Sequence, residues 1–414
     1  MKSYKYVIIG GGLAGGKGVG GIRQVDETGS VALITQEPHE PYERPPLSKR
    51  YLRGEVGLDG VHLEDAAYYD EKDIDLLTGV RAIEVDREEQ VVTLENAEQL
   101  NYEKLLLATG GDARRLPIPG SDLDNVFTLR TIEDSDHIRE AAGDGRHALV
   151  MGGSFIGSEV ASSLRLLGTQ VTMIFPESRL LKRIVPLELS DFIFAAYREE
   201  GVVILPGTVA DGLEGEGFVE RANLESGETV DIDLAVMGVG IGLNTELAKE
   251  AGLELTETGA VKVDEYLRTS DPNIYAAGDI AAWPDPTFGE RLRVEHWDVA
   301  RRQGRRAGQN MAGEGKPYKA LPYFYSDLFD LSFEAWGNLS SWERTVRRGS
   351  IEEGSFALYY FDQDRLVGVL AVGRPSGERS PMQDLVKARP DYESVADQLQ
   401  DESIDLAGLV SDKE

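Results

Sequence analysis

Tyr6-Val7-Ile8-Ile9-Gly10-Gly11-Gly12-Leu13-Ala14-Gly15 decides the fold of this 414-residue chain. Four apolar residues run straight into Gly10-x-Gly12-x-x-Gly15, the pattern of a strand that ends in a tight turn and opens a helix. Glycines at such a turn let backbone N–H groups approach a pyrophosphate, and the helix dipole favours its negative charge. One such turn is a weak signal. A second follows at Ala148-Leu149-Val150-Met151, then Gly152-x-Ser154-x-x-Gly157. Two strand–turn–helix units in one chain point to two dinucleotides with electrons passing between them.

The segments after each turn extend the pattern. Residues 16–23 hold Gly16, Gly18, Gly20 and Gly21, and each mid-helix glycine loses about 1 kcal/mol relative to alanine. The segment is read as a helix that accepts this loss to pack closely against sheet and cofactor. A second strand over residues 31–35 leads to Gln36 and Glu37, and Glu37 lies 22 residues beyond Gly15, near where an acid meets adenosine ribose hydroxyls. A solvated surface acid is the plain alternative. Paired prolines at Pro45-Pro46 stiffen a loop that presents Arg44 and Lys49. Residues 105–107 form a buried strand ending at Ala108-Thr109-Gly110, and residues 116–120 read as a crossover linker.

In the second unit a strand over residues 170–174 is followed by Phe175-Pro176-Glu177. An acid there favours NADH over NADPH, whereas Arg179 and Arg183 nearby act the other way, so both coenzymes stay open. The unit closes with the apolar strand at residues 234–240. Residues 274–277 form another strand ending in Gly278-Asp279, which returns the chain to its first domain. Past residue 320, residues 356–361 and 366–370 flank Asp362-Gln363-Asp364 as a hairpin. A third, antiparallel-rich domain capped by a helix near residues 381–400 is expected.

Composition narrows the chemistry. The net charge of −30, from 73 acidic and 43 basic residues, opposes nonspecific binding to nucleic acid or anionic membranes. Only 13 of the basic residues are Lys, and an acidic, Lys-poor surface is either simply well solvated or suited to a salty cytoplasm. The chain has no cysteine, which excludes disulfides, Cys-ligated iron–sulfur clusters and every redox-active Cys pair. No metal site is expected. The first strand begins almost at residue 1, and no apolar run reaches the roughly 18 residues a membrane helix needs. A cytoplasmic protein follows as the expectation.

Gly10-x-Gly12-x-x-Gly15, Arg44-Pro45-Pro46-Leu47-Ser48-Lys49, Ala108-Thr109-Gly110, Thr128-Leu129-Arg130, Gly278-Asp279, Val294-Glu295-His296-Trp297 and Tyr323-Phe324-Tyr325-Ser326-Asp327 together resemble the two-dinucleotide flavoprotein reductases. The resemblance is strongest to the ferredoxin/rubredoxin reductase and apoptosis-inducing-factor-like branch, and it spans nearly the whole chain. It implies an α/β protein with two Rossmann-like dinucleotide-binding domains and a C-terminal α+β domain. The boundaries are 1–113 with 246–320 for FAD, 114–245 for NAD(P)H, and 321–414 for the C-terminal domain.

Carried over onto this sequence, the resemblance places Gly10, Gly12, Leu13, Ala14 and Gly15 at the FAD pyrophosphate. Gln36 and Glu37 fall at the adenosine ribose, and Asp279, beside Gly278, at the ribityl chain. Arg44, Lys49 and Arg130 face phosphates or the ring system, with Ala82, Ala108, Thr109 and Gly110 among the remaining FAD contacts. His296 and Trp297 fall near the isoalloxazine. Gly152, Gly153, Ser154, Phe155 and Ile156 carry the NAD pyrophosphate, Glu177 and Arg183 its adenosine end, and Gly240, Glu295 and Tyr325 the nicotinamide side. Lys49 pairs with Glu159 as the catalytic couple for hydride transfer to the flavin, a plain interdomain salt bridge being the alternative. Two departures stand out: Ser154 replaces the middle glycine of the second turn, and Tyr325 stands where the family often has Trp.

The resulting expectation is an FAD-dependent NAD(P)H oxidoreductase, using NADH with NADPH left open. Without cysteine, electrons leave the flavin directly, to a ferredoxin- or rubredoxin-type acceptor. The alternatives are an NADH oxidase or quinone reductase, and an apoptosis-inducing-factor-like redox sensor with slow turnover. Arg291, Arg293, Arg301, Arg302, Arg305 and Arg306 form a basic cluster in an acidic chain, a candidate docking collar for an acidic partner. Pairing with nearby acids is the plain alternative for each arginine. Monomer and homodimer both remain open.

Overall fold

The computed structural model describes residues 1–410. The strand Lys2–Ile9 sits inside a seven-stranded sheet, flanked in parallel by Val31–Ile34 and Gln99–Leu107. These strands are covered on both faces and therefore read as unbroken apolar runs at their C-terminal ends. Gln99–Leu107 has different neighbours along its length: Val91–Leu94 runs antiparallel beside its first half, and Ile274–Ala276 runs parallel beside residues 105–107. The late strand thus delivers Gly278-Asp279 to the same sheet edge as the first glycine turn.

Contacts divide the chain into two compact units. One comprises Met1–Arg44, Gly57–Asp112 and Ile241–Ala320; the other comprises Pro45–Val56, Ala113–Gly240 and the chain from Leu321 onward. Pro45–Val56 groups with the second unit because side chains from there donate to its backbone carbonyls. Ser135 Oγ donates to Leu47 O at 2.8 Å, Ser163 Oγ to Ser48 O at 2.7 Å, and Arg139 to Tyr51 O at 3.0 Å.

The first unit pairs the glycine-turn helix Leu13–Arg23 with the helix Trp297–Met311. Both helices carry glycine where they meet. A Cβ on Gly21 would lie 2.2 Å from Arg305 O, one on Gly304 2.1 Å from Ala14 O, and one on Gly308 2.0 Å from Gly18 O. The glycines expected to pack on sheet and cofactor therefore serve mainly a helix–helix contact, and Gly18 alone among those of residues 16–23 meets the sheet, at Leu106.

The second unit contains a five-stranded, all-parallel sheet in the order Val203–Pro206, Gln170–Phe175, His147–Met151, Leu234–Met237, Val126–Thr128. It also contains an antiparallel sheet in the order Tyr323–Leu328, Leu331–Gly337, Arg365–Val372, Ser355–Asp362, Arg344–Ser350. The hairpin turn falls at Gln363 and Asp364, both at positive φ, the geometry of a two-residue turn that matches strand twist. The single helix expected near residues 381–400 is instead two, Arg379–Ala388 and Tyr392–Gln400. Arg389 enters the left-handed region and Pro390 follows, and proline cannot continue a helix.

Candidate functional site

Each glycine turn closes on its own backbone. Gly10, at φ +118°, has no room for a side chain, since a Cβ would lie 2.2 Å from Ala108 O. A Cβ on Gly15 would lie 1.9 Å from Gly10 O. Gly12 is different: it caps the helix Leu13–Arg23, and nothing lies within 4 Å of where its Cβ would be. The open space faces a helix N-terminus whose cap residue offers no side-chain acceptor, so the first N–H groups are presented outward. That cradle fits a pyrophosphate.

Around it the first unit gathers most of the expected FAD residues. Leu13 and Ala14 are buried in the first helical turn, and Gln36 is exposed just past the second strand. Glu37 receives Arg44 Nη2 at 2.6 Å on one carboxylate oxygen and the Tyr42 hydroxyl on the other. Each oxygen keeps a lone pair for a further donor such as a ribose hydroxyl. Thr109 Oγ1 donates to Asn244 O at 2.5 Å, fixing the Ala108-Thr109-Gly110 turn. Gly278 N donates to the buried Gln303 at 3.0 Å, and Arg293 donates to Asp279 O at 3.4 Å. His296 caps the helix Trp297–Met311, Glu295 pairs with Arg293 at 2.6 Å, and Arg301 lies over the Trp297 ring at 5.1 Å. Ala82 is buried at the start of an antiparallel arm, opposite Leu94.

The second turn repeats the first. Gly152, at φ +132°, would carry a Cβ 2.3 Å from Gly238 O, and Gly157 one 2.2 Å from Gly152 O. Ser154 occupies the cap of the helix Phe155–Leu166, exposed and without a capping hydrogen bond to its own helix. Without that bond the first N–H groups of the helix stay available, so the departure from glycine is compatible with a second pyrophosphate. Phe155 begins the helix and packs on Phe324 and Phe333, whereas Ile156 and Gly240 are exposed. Glu177 follows the second strand. Arg183, 87% exposed, reaches it only at 3.9 Å. Arg179 is turned away, donating to Val185 O at 2.8 Å and Lys182 O at 3.2 Å. Arg130 belongs to this unit as well, its N–H donating to Asp134 beside a Thr131 capping box.

Lys49 and Glu159 meet as the sequence reading anticipates, at 2.7 Å and both buried. Two partners escaped that reading. Ser48 Oγ donates to Glu159 Oε2 at 2.5 Å and Ser326 Oγ to Oε1 at 2.6 Å. Both serines sit inside quoted motifs, but hydroxyls carry no signal in a residue-type scan. Tyr325 lies 5.9 Å from the Lys49 ammonium through its ring. Tyr323, Tyr325, Trp336, Arg374, Arg379 and Met382 line a cavity of about 350 Å³ in this unit.

The basic cluster is largely paired. Arg291 donates to Val263 O and Ala282 O, Arg301 and Arg302 converge on the buried Asp298 at 2.6 Å each, and Arg306 meets Glu314 at 3.2 Å. Arg305 is exposed and forms no ion pair among the described residues. No described helix is long and apolar enough to cross a membrane, and no described cluster of acidic or His side chains could hold a metal ion.

Residues 4–304 match the family described as pyridine nucleotide-disulphide oxidoreductase, and residues 323–410 match a reductase C-terminal domain. The chain is 36% identical to monodehydroascorbate reductase 3 of Arabidopsis thaliana, covering 98% of this chain and 97% of the relative. It is 34% identical to rhodocoxin reductase of Rhodococcus erythropolis, covering 89% and 86%. The crystal structure of the ferredoxin reductase for the CYP199A2 system from Rhodopseudomonas palustris superposes with a TM-score of 0.91 at 32% identity, covering 98% of this chain and all of that one.

Proposed function

Because the chain belongs to the pyridine nucleotide-disulphide oxidoreductase family, and so is an FAD-dependent NAD(P)H oxidoreductase, we propose that it takes hydride from NADH and passes the electrons to a ferredoxin- or rubredoxin-type protein. The observation that carries this reading is the absence of cysteine from a chain that keeps both nucleotide turns. Bound FAD supplies the chemistry of accepting a hydride and releasing its electrons. The polypeptide supplies position and charge. Gly10–Gly15 and Arg44 hold the FAD phosphates, Glu37 its ribose and Asp279 its ribityl chain. The Gly152 turn holds the NADH pyrophosphate. Glu177 accepts the adenosine ribose hydroxyls, and with Arg179 engaged by backbone carbonyls the exposed Arg183 is left to offset that acid toward the 2′-phosphate of NADPH. Lys49, held against Glu159, serves the hydride-transfer step.

Docking of the acceptor is assigned to the arginine collar, whose net positive charge comes from Arg305, from Arg291, which bonds to backbone carbonyls, and from two arginines sharing Asp298. Steering by such a patch is salt-dependent. Arg302→Glu with Arg305→Glu should lower kcat/KM for an acidic ferredoxin about tenfold at low salt, while ferricyanide reduction by NADH stays unchanged. Equal rates for the variant and wild type at every salt concentration would sink the docking assignment.

A second reading is favoured by the 350 Å³ cavity with its aromatic and arginine lining and by the monodehydroascorbate reductase relative. In it, a small organic acceptor replaces the protein. Steady-state turnover with a ferredoxin, a quinone and enzymatically generated monodehydroascorbate, each at equal NADH, separates the two.

A further inference from the structure

Glu159 is the meeting point of three separate segments. It projects from the second turn of the helix Phe155–Leu166. Ser48 and Lys49 reach it from the proline-stiffened turn, and Ser326 reaches it from the edge strand Tyr323–Leu328 of the C-terminal sheet. All four are buried: Ser48 is 2% exposed, Lys49 9%, Glu159 4% and Ser326 1%. We propose that Ser326 is a positioning residue for the reaction, holding the Glu159 carboxylate oriented so that Lys49 stays fixed. The proposal rests on the assignment of hydride transfer to the Lys49–Glu159 pair.

Adhesion alone does not account for the contact. The same strand already binds the same helix through apolar and backbone groups. Phe324 and Phe155 have ring centroids 5.3 Å apart, and Phe329 N donates to Ser162 Oγ at 3.0 Å. A buried carboxylate is costly to keep unless its lone pairs are filled. Here the ammonium and one hydroxyl share Oε2, and Ser326 donates to Oε1. Removing Ser326 Oγ takes a donor from a buried carboxylate oxygen and should loosen the orientation of the pair. The hydroxyl therefore lets the C-terminal module set the orientation of a couple built from the rest of the unit.

Tyr197, from the helix Leu187–Glu199, is held protonated because burial pushes its hydroxyl well above the usual tyrosine range, with the Glu159 charge adding to this. Tyr325 approaches the Lys49 ammonium through its ring.

The test compares wild type with Ser326→Ala, Ser326→Thr and Ser48→Ala as FAD-loaded full chains. The wild type must first be bleached by NADH; failure there overturns the assignment and this proposal together. With bleaching established, Ser326→Ala should lower the flavin-reduction rate about tenfold while leaving KM for NADH unchanged, and Ser326→Thr should restore it. Infrared difference spectra against Glu159→Gln should show the carboxylate band displaced in Ser326→Ala, independently of turnover. Ser48→Ala should move both in the same direction, which keeps the test alive should Ser326→Ala fail to fold. A bleached wild type whose variants lose melting temperature but keep the wild-type flavin-reduction rate and carboxylate band would overturn the positioning role alone.

Discussion

Gly10 and Gly152 occupy the same place in two turns that close alike, yet the two helices that follow are built for different neighbours. In both turns the first glycine abuts a carbonyl on the adjoining strand, Ala108 O or Gly238 O, and the last abuts the first. Gly11 and Gly153 likewise face the end of the next strand, at Thr35 and Phe175. After that the units diverge. Leu13–Arg23 meets its partner helix through glycines, backbone against backbone. Phe155–Leu166 buries Ser158, Ser162 and Ser163 beside Glu159, and Ser162, Ser163 and Glu159 form hydrogen bonds to the proline turn and the C-terminal strand. One helix is fitted for close, dry packing around a resident cofactor. The other is fitted for polar contact at the place assigned to chemistry.

The comparison breaks most visibly at the last glycine of each turn. Gly15→Ala forces a Cβ against Gly10 O and should yield protein that does not retain FAD. Gly157→Ala forces the matching clash in the second turn and should leave the protein yellow but unresponsive to NADH at ordinary concentrations. Absorbance at the flavin band after gel filtration, with and without NADH, checks both. Similar behaviour of the two variants would mean the turns do not serve separate nucleotides.

A smaller effect sharpens the account of the glycine-packed helix. Gly21→Ala must displace Arg305 O, and overpacking of this kind costs about 1–3 kcal/mol. Gly20→Ala meets only the Tyr68 hydroxyl, at an ordinary 3.8 Å, so it should stabilise by about 1 kcal/mol through helix propensity. Opposite signs in chemical denaturation, one residue apart, are the expected result. Equal destabilisation by both would remove the close-packing explanation.

Much of this architecture was legible because strand, turn and helix are local. Apolar runs such as Val31-Ala32-Leu33-Ile34 and the spacing of Gly10, Gly12 and Gly15 mark their elements without help from the rest of the chain. The Lys49–Glu159 couple was legible only through a family resemblance, since 110 positions separate its members. Ser48 and Ser326 were not legible at all, because a hydroxyl gains meaning only from the carboxylate it faces. The helix facing Gly21 is not legible for the same reason: glycine records a close approach without recording what approaches. The break at Arg389-Pro390 is written in the sequence, because proline cannot continue a helix.

Two lesser changes probe the second nucleotide site. Glu177→Gln removes the acid assigned to the adenosine ribose and should lower the preference for NADH over NADPH, as the ratio of kcat/KM values, about tenfold. An unchanged ratio would take Glu177 out of coenzyme selection. Ser154→Gly makes the second turn like the first. Because Ser154 makes no capping bond, stability should hold, with KM for NADH falling about two- to threefold as the backbone approaches the phosphates more closely.

The central claim is that electrons pass from a pyridine nucleotide to a flavin in this chain and leave it with no sulfur relay. Anaerobic titration of the FAD-loaded protein with NADH, followed at the flavin absorbance band, tests it directly. The account predicts complete bleaching at one NADH per flavin, with no further two-electron equivalent taken up. A band unchanged by excess NADH, or bleaching that needs two equivalents per flavin, would contradict it.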